Sequence, residues 1–134
     1  MTAAPSDVSA SGTIITLTAN EDQAFGDVCR INSDGEAQIV DADAIATSSG
    51  VVMAIATISA DNSGSYLMMS VARDDSWAWT PGGLIYITVT GTSTNTLSQT
   101  APVGDDDVVQ IVGVATHADR MMFMPNLVQT ELSV

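Results

Sequence analysis

The chain alternates between short apolar runs and clusters of turn-forming residues. The runs are Thr13–Thr18, Gly26–Asn32, Ala37–Val40, Val51–Ser59, Ser65–Ala72, Leu84–Thr90, Asp107–Thr116 and Arg120–Met124. Each is rich in Val, Ile, Thr, Tyr or Met, residues whose side chains suit a pleated, half-buried surface. Between them stand Ser33-Asp34-Gly35, Asp61-Asn62-Ser63-Gly64 and Pro81-Gly82-Gly83. Asp-Gly and Pro-Gly pairs supply the backbone conformations that tight turns need. No window carries an i, i+3, i+4, i+7 apolar stripe, and the nearest helical candidate, Asp41–Ala46, is short and Ala-rich. Many short strands at regular spacing predict an all-β single domain, a compact sandwich or barrel of antiparallel strands. Residues 1–11 are small and polar with Pro5, and read as a flexible N-terminal arm before a domain spanning 12–134.

Two stretches echo one another. Val51-Val52 leads to Ile55-Ala56-Thr57, Ala60-Asp61 and Tyr66-Leu67-Met68-Met69. Val108-Val109 leads to Val114-Ala115-Thr116, Ala118-Asp119 and Met121-Met122-Phe123-Met124. Both read as a strand, a turn at Ala-Asp and a Met-rich return strand. The pattern predicts two similar hairpins whose return strands face a shared core. Hairpins resemble one another in any case, so the echo alone does not establish a duplication.

Charge narrows the possible partners. The 134 residues include no Lys, three Arg (Arg30, Arg73, Arg120) and sixteen acidic residues, for a formal net charge of −13. Nothing in that inventory can replace phosphate counterions, so a nucleic-acid or anionic-membrane footprint is excluded. Hydrophobic residues make up 46% of the chain, enough for a folded domain, but aromatic residues only 4%. The core must be aliphatic, with Met filling gaps. The N-terminus shows no basic segment followed by an apolar one, and no apolar run is long enough to span a bilayer. The expectation is a protein made in a cytoplasm.

Candidate chemistry is sparse. His117 has no nucleophile at a motif spacing and sits at an expected hairpin turn, so a triad is not supported. Cys29, the only cysteine, lies inside an expected strand and reads as a small buried hydrophobe. The acidic clusters Asp105-Asp106-Asp107, Asp74-Asp75 and Asp41/Asp43 lack the ordered ligand spacing of an EF-hand and read as turn caps. Trp77 and Trp79 alternate as in a strand, which would put both rings on one face. They could stack on sugars, lid the core or meet a partner. The expectation is no enzyme, no cofactor and no metal.

The segment from Trp77 to Val128 supplies a resemblance. It reads Trp77-Ala-Trp-Thr-Pro-Gly-Gly-Leu-Ile-Tyr-Ile, Thr96-Leu-Ser-Gln-Thr-Ala-Pro102, Asp107-Val-Val-Gln-Ile-Val-Gly-Val-Ala115, Ala118-Asp119 and Met122-Phe-Met-Pro-Asn126. It resembles a small β-module of tailed bacteriophages found in capsid decoration (cement) proteins, and also in head fibres and tail proteins. Met121, Met122, Met124 and His117 depart from that pattern. The resemblance implies a homotrimer on the outer capsid surface, bound to the major capsid protein, with the arm reaching along the shell. On that expectation the contacts are Thr2, Ala3, Ala4 and Pro5 of the arm, Trp77, Trp79, Met122 and Met124. Two alternatives stand beside it: a head-fibre or tail module binding host glycan, and a Ca²⁺-dependent adhesion module.

Overall fold

A computed structural model describes residues 6–90 and 96–134. Strand follows strand: β1 Ser9–Thr18, β2 Val28–Ile31, β3 Ala37–Ile39, β4 Val52–Ala54, β5 Ser63–Arg73, β6 Leu84–Ile87, β7 Leu97–Ser98, β8 Val108–Val109, β9 Ile111–His117, β10 Arg120–Phe123 and β11 Thr130–Glu131. Among the described residues the only helical turn is Ile45–Thr47, and no helix is long and apolar enough to cross a membrane. The fold is all-β, as the sequence pattern predicts. Among the described residues nine strands form one strongly curled antiparallel sheet, half of a barrel, and β8 pairs β11 separately.

The sheet is organised by β5. β1 pairs with it along its whole length, from Ser9 opposite Arg73 to Thr18 opposite Ser63. A strand has two edges, so the remaining neighbours share the other one. β4 takes the first half (Met53 opposite Leu67) and β10 the second (Phe123 opposite Ser70). Beyond β4 lie β2 and β3; beyond β10 lie β9, β6 and β7. Between the halves the β1–β5 ribbon is bulged, its register shifting at Thr13/Ile14. Ser70 has φ 121° and Gly12 φ 150° there. A Cβ at position 12 would run into the Met69 carbonyl oxygen, so this bend requires glycine.

The two expected hairpins are β4–β5 and β9–β10. Their return strands lie side by side, and Leu67, Ala72, Met121 and Phe123 share one core. The wider topology repeats as well: β2 to β5 run in the order β3-β2-β4-β5, and the second half runs β7-β6-β9-β10.

The first half buries both faces of its strands. Val28, Met53 and Leu67 point into the larger core, while Cys29, Val52, Ala54 and Tyr66 point into a smaller one with Ala19, Ala37 and Ile58. This two-sided burial explains the unbroken apolar run at Val51–Ile55. Tyr66 brings a hydroxyl into the small core, where it donates to Gln23 Oε1 at 2.5 Å while Gln23 Nε2 donates to the Ala37 carbonyl at 2.9 Å. Burial pushes the Tyr66 phenol up to about 12. The halves are stitched by polar side chains. Gln110 accepts from Gly50 N and donates to its carbonyl, both at 2.8 Å. Thr96 Oγ1 accepts from Val28 N at 2.9 Å and donates to the Gly26 carbonyl at 3.2 Å.

Several boundaries differ from the sequence expectation. Ser9, Ala10 and Ser11, expected in the arm, belong to β1. The run Val51–Ser59 is a strand only at Val52–Ala54, after which Ile58 turns back to bridge Gln23. Asp107–Thr116 is split at Gln110, whose side chain turns inward to Gly50 and Asn126. The short strands β7 and β11 carry no apolar run and were not anticipated.

Two outcomes follow. Gly12→Val is expected to lower stability by about 1–3 kcal/mol through strain at the bulge, read as an earlier chemical-denaturation midpoint. Because the folded-state pKa of Tyr66 lies above its unfolded value, the folded chain holds that proton longer. Its contribution is full below pH 10 and is lost as pH rises towards 12, so thermal stability should fall over that interval. Tyr66→Phe should flatten the fall while leaving Gln23 without its hydroxyl partner, a cost of about 1–3 kcal/mol at neutral pH.

Candidate interaction surfaces

The outward face of the second half is built like a second core face. Residues paired across an antiparallel ladder share a face. Following the pairs outward from β1 gives the row Ser11, Val71, Met122, Val114, Leu84 across five strands. Met69 and Tyr86 stand on the same face two positions along β5 and β6, and Met124 follows Met122 beyond the end of β10. The inner residues of the same strands, Ala72, Ile85, Ala115, Met121 and Phe123, are fully or almost fully buried. The outer ones remain in water: Met69 is 55% exposed, Met124 46%, Leu84 41% and Met122 37%. An ordinary antiparallel sheet exposes polar residues at such positions. A contiguous apolar face instead marks a contact site.

One border of this face holds most of the chain's basic residues. The adjoining row is Ser9, Arg73, Arg120, His117. Two of the three Arg and the only His therefore lie in one line. Arg73 Nε contacts Asp75 at 2.8 Å and Asp119 at 3.3 Å, and Arg120 Nε lies 3.4 Å from Asp119. The hydrogen bond from Arg73 holds the Asp75 carboxyl below its usual range. These pairs offset part of the acidic charge at the border, and none of the face residues named above is charged.

Trp77 and Trp79 are not in a strand. They follow the Asp74–Ser76 turn, with Trp77 N donating to the Asp74 carbonyl at 3.0 Å and Trp79 N to the Ala118 carbonyl at 2.9 Å. Their rings are 5.5 Å apart and inclined by 47°, and both pack against the main core. They do not form the flat shared platform that strand alternation would give. Trp77 instead meets Phe25 at 6.1 Å and lines a cleft of about 480 Å³ with Asp22, Asp27, Ile39, Thr96 and Leu97. Burial raises the pKa of the Asp27 carboxyl there, opposed by the hydrogen bond it accepts from Ala24 N. The cleft was not foreseen, because Phe25 and Trp77 are 52 positions apart in the chain.

The other candidates take structural roles. Cys29 is fully buried in the smaller core, and burial pushes its thiol far up. His117 ends β9 in the open, 3.2 Å from the Thr116 hydroxyl. Asp107 Oδ2 accepts from Gly104 N, Asp74 Oδ1 from Ser76, and Asp41 Oδ1 from both Asp43 N and Thr90 N. All but the Thr90 contact, which joins residues 49 positions apart, are local turn contacts of the kind acidic side chains favour. Thr2, Ala3, Ala4 and Pro5 lie outside the described residues.

Comparison with protein-family models, curated proteins and solved structures finds no match.

The packing of Trp79 gives a testable outcome. Trp79→Ala should cost about 3 kcal/mol, the lower end for a truncated core aromatic, read as a fall in melting temperature. Trp79→Phe keeps the ring contact with Trp77 and should recover most of that loss.

Proposed function

We propose that this protein is a structural component of a tailed-phage particle, a decoration protein that seats its four-strand apolar face on the outer surface of the capsid and stabilises the shell. The single observation that carries this reading is the outward row Val71, Met122, Val114, Leu84, with Met122 and Leu84 exposed and the two valines half-buried, in a chain of net charge −13. The segments that resemble the phage module include Trp77–Ile87, Asp107–Ala115 and Met122–Asn126, which contain β6 and parts of β9 and β10, three strands of that face. High negative charge keeps free copies apart in solution. A neutral apolar face then concentrates attachment at one place. The chain also enters the sheet at Ser9, on the border of the face, which would direct the preceding arm along the shell.

Purified protein added to undecorated capsids should bind and raise the temperature at which they open. Met122→Asp should weaken binding at least tenfold with an unchanged circular dichroism spectrum, because it buries a carboxylate against an apolar partner. Apolar contact should persist in molar NaCl, where exposed ion pairs are screened within roughly 3 Å. Release in high salt from intact particles would transfer the docking role to the Asp-rich loops.

The Phe25–Trp77 cleft favours a second reading, a module that binds a host glycan. An aromatic wall beside carboxylates suits a sugar ring, with its apolar face on the indole and its hydroxyls on Asp22 and Asp27. Glycan-array binding lost in Trp77→Ala, with capsids left unbound by the wild type, would establish that reading in place of the first.

A further inference from the structure

We infer that the Phe25–Trp77 cleft binds a small organic cation, a primary ammonium group carried on an apolar body. The cleft holds about 480 Å³, a size that suits a small molecule. Its aromatic wall is continuous, because the Phe25 and Trp77 rings meet at 6.1 Å, and Ile39 and Leu97 add aliphatic lining. The face of an aromatic ring is electron-rich and attracts a cation within about 6 Å of its centre. An apolar wall alone would accept any hydrophobic ligand. The polar groups beside it narrow the choice.

Asp22 and Asp27 both line the cleft. Asp22 Oδ1 accepts from Ala60 N and Asp27 Oδ2 from Ala24 N, each at 2.9 Å. Among the described residues the second oxygen of each carboxylate accepts nothing. No Arg lines the cleft, and all three are engaged elsewhere: Arg30 with Gln38, Arg73 with Asp75 and Asp119, and Arg120 with Asp119. Asp27 is half-buried. Desolvation raises its pKa and nearby Glu21 adds to the rise, against the bond from Ala24 N. Its negative charge is therefore held partly out of water, close to another negative charge, with no cation lining the cleft to offset it. A positively charged ligand supplies the missing partner.

The donors separate a cation from a sugar. The Gln23 amide is bonded to the Tyr66 hydroxyl and the Ala37 carbonyl, and the Thr96 hydroxyl donates to the Gly26 carbonyl. Apart from the Trp77 indole, the side-chain donors of the cleft are thus committed, while two carboxylate oxygens stand open. Sugar hydroxyls accept as well as donate, whereas an ammonium group only donates. The same cleft that could stack a glycan is therefore better matched to an amine.

Titration of the full chain with benzylammonium chloride at fixed ionic strength, followed by Trp emission and calorimetry, should saturate at one site. Benzyl alcohol, of similar shape but uncharged, and methyl glucoside should each bind at least tenfold more weakly. Asp27→Asn and Asp22→Asn retain an oxygen for Ala24 N and Ala60 N while removing the charge. Each should raise the dissociation constant at least tenfold with the circular dichroism spectrum retained. If Asp27→Asn alters that spectrum, the exposed Asp22→Asn decides. Asp105→Asn, which removes a carboxylate outside the cleft, should leave binding unchanged. Absence of saturation, equal binding of benzyl alcohol, preference for methyl glucoside, full binding by both cleft variants, or an equal loss in Asp105→Asn would each overturn the inference. No readout involves capsids, so the outcome is separate from that of the docking proposal.

Discussion

Everything in this molecule depends on the length of β5 and on the sharing of its inner edge. At eleven residues it is long enough to receive β4 along one half and β10 along the other, while β1 backs it throughout. Without the bend at Gly12 and Ser70 the two halves would continue as one flat sheet. With it, Leu67 and Ala72 of β5 face Met121 and Phe123 over a common interior. The polar stitches of Gln110 and Thr96 then fix the halves together, since a buried amide or hydroxyl deprived of its partner is costly.

Much of this was legible in the residues, for definable reasons. Turn chemistry was local, so Ser33-Asp34-Gly35 located the β2–β3 hairpin: Gly35 takes φ 79° and Asn32 Oδ1 accepts from Asp34 N and Glu36 N. The Ala-Asp echo located two hairpins because each carries its own strand and return. What escaped was set by distant partners. Ser9–Ser11 look like arm residues until Val71–Arg73 pair with them. Leu97–Ser98 becomes a strand only because Tyr86 and Ile87 lie alongside. The Trp-Ala-Trp spacing suggested a shared face, but backbone bonds to Asp74 and Ala118 hold those residues in a loop.

The candidate surfaces divide in the same way. Met122 and Met124 could be singled out from their strand, whereas Met69, Val71 and Leu84 join them only through cross-strand register. Register also gathers Arg73, Arg120 and His117 into one row, although they are up to 47 positions apart. A charge count gives net repulsion; the fold decides that one face is built from uncharged residues. That partition lets a polyanionic chain remain dispersed and still possess a surface that water does not favour.

The composition of that face has a chemical consequence. Met69, Met122 and Met124 all expose side chains to solvent, so their thioethers are open to peroxide. Oxidation turns a soft apolar group into a polar sulfoxide. The same sulfur atoms that would adapt the face to the proposed partner would therefore make it perishable. Copies held in contact would be shielded and stored copies would age, so the surface carries a record of whether it has been covered.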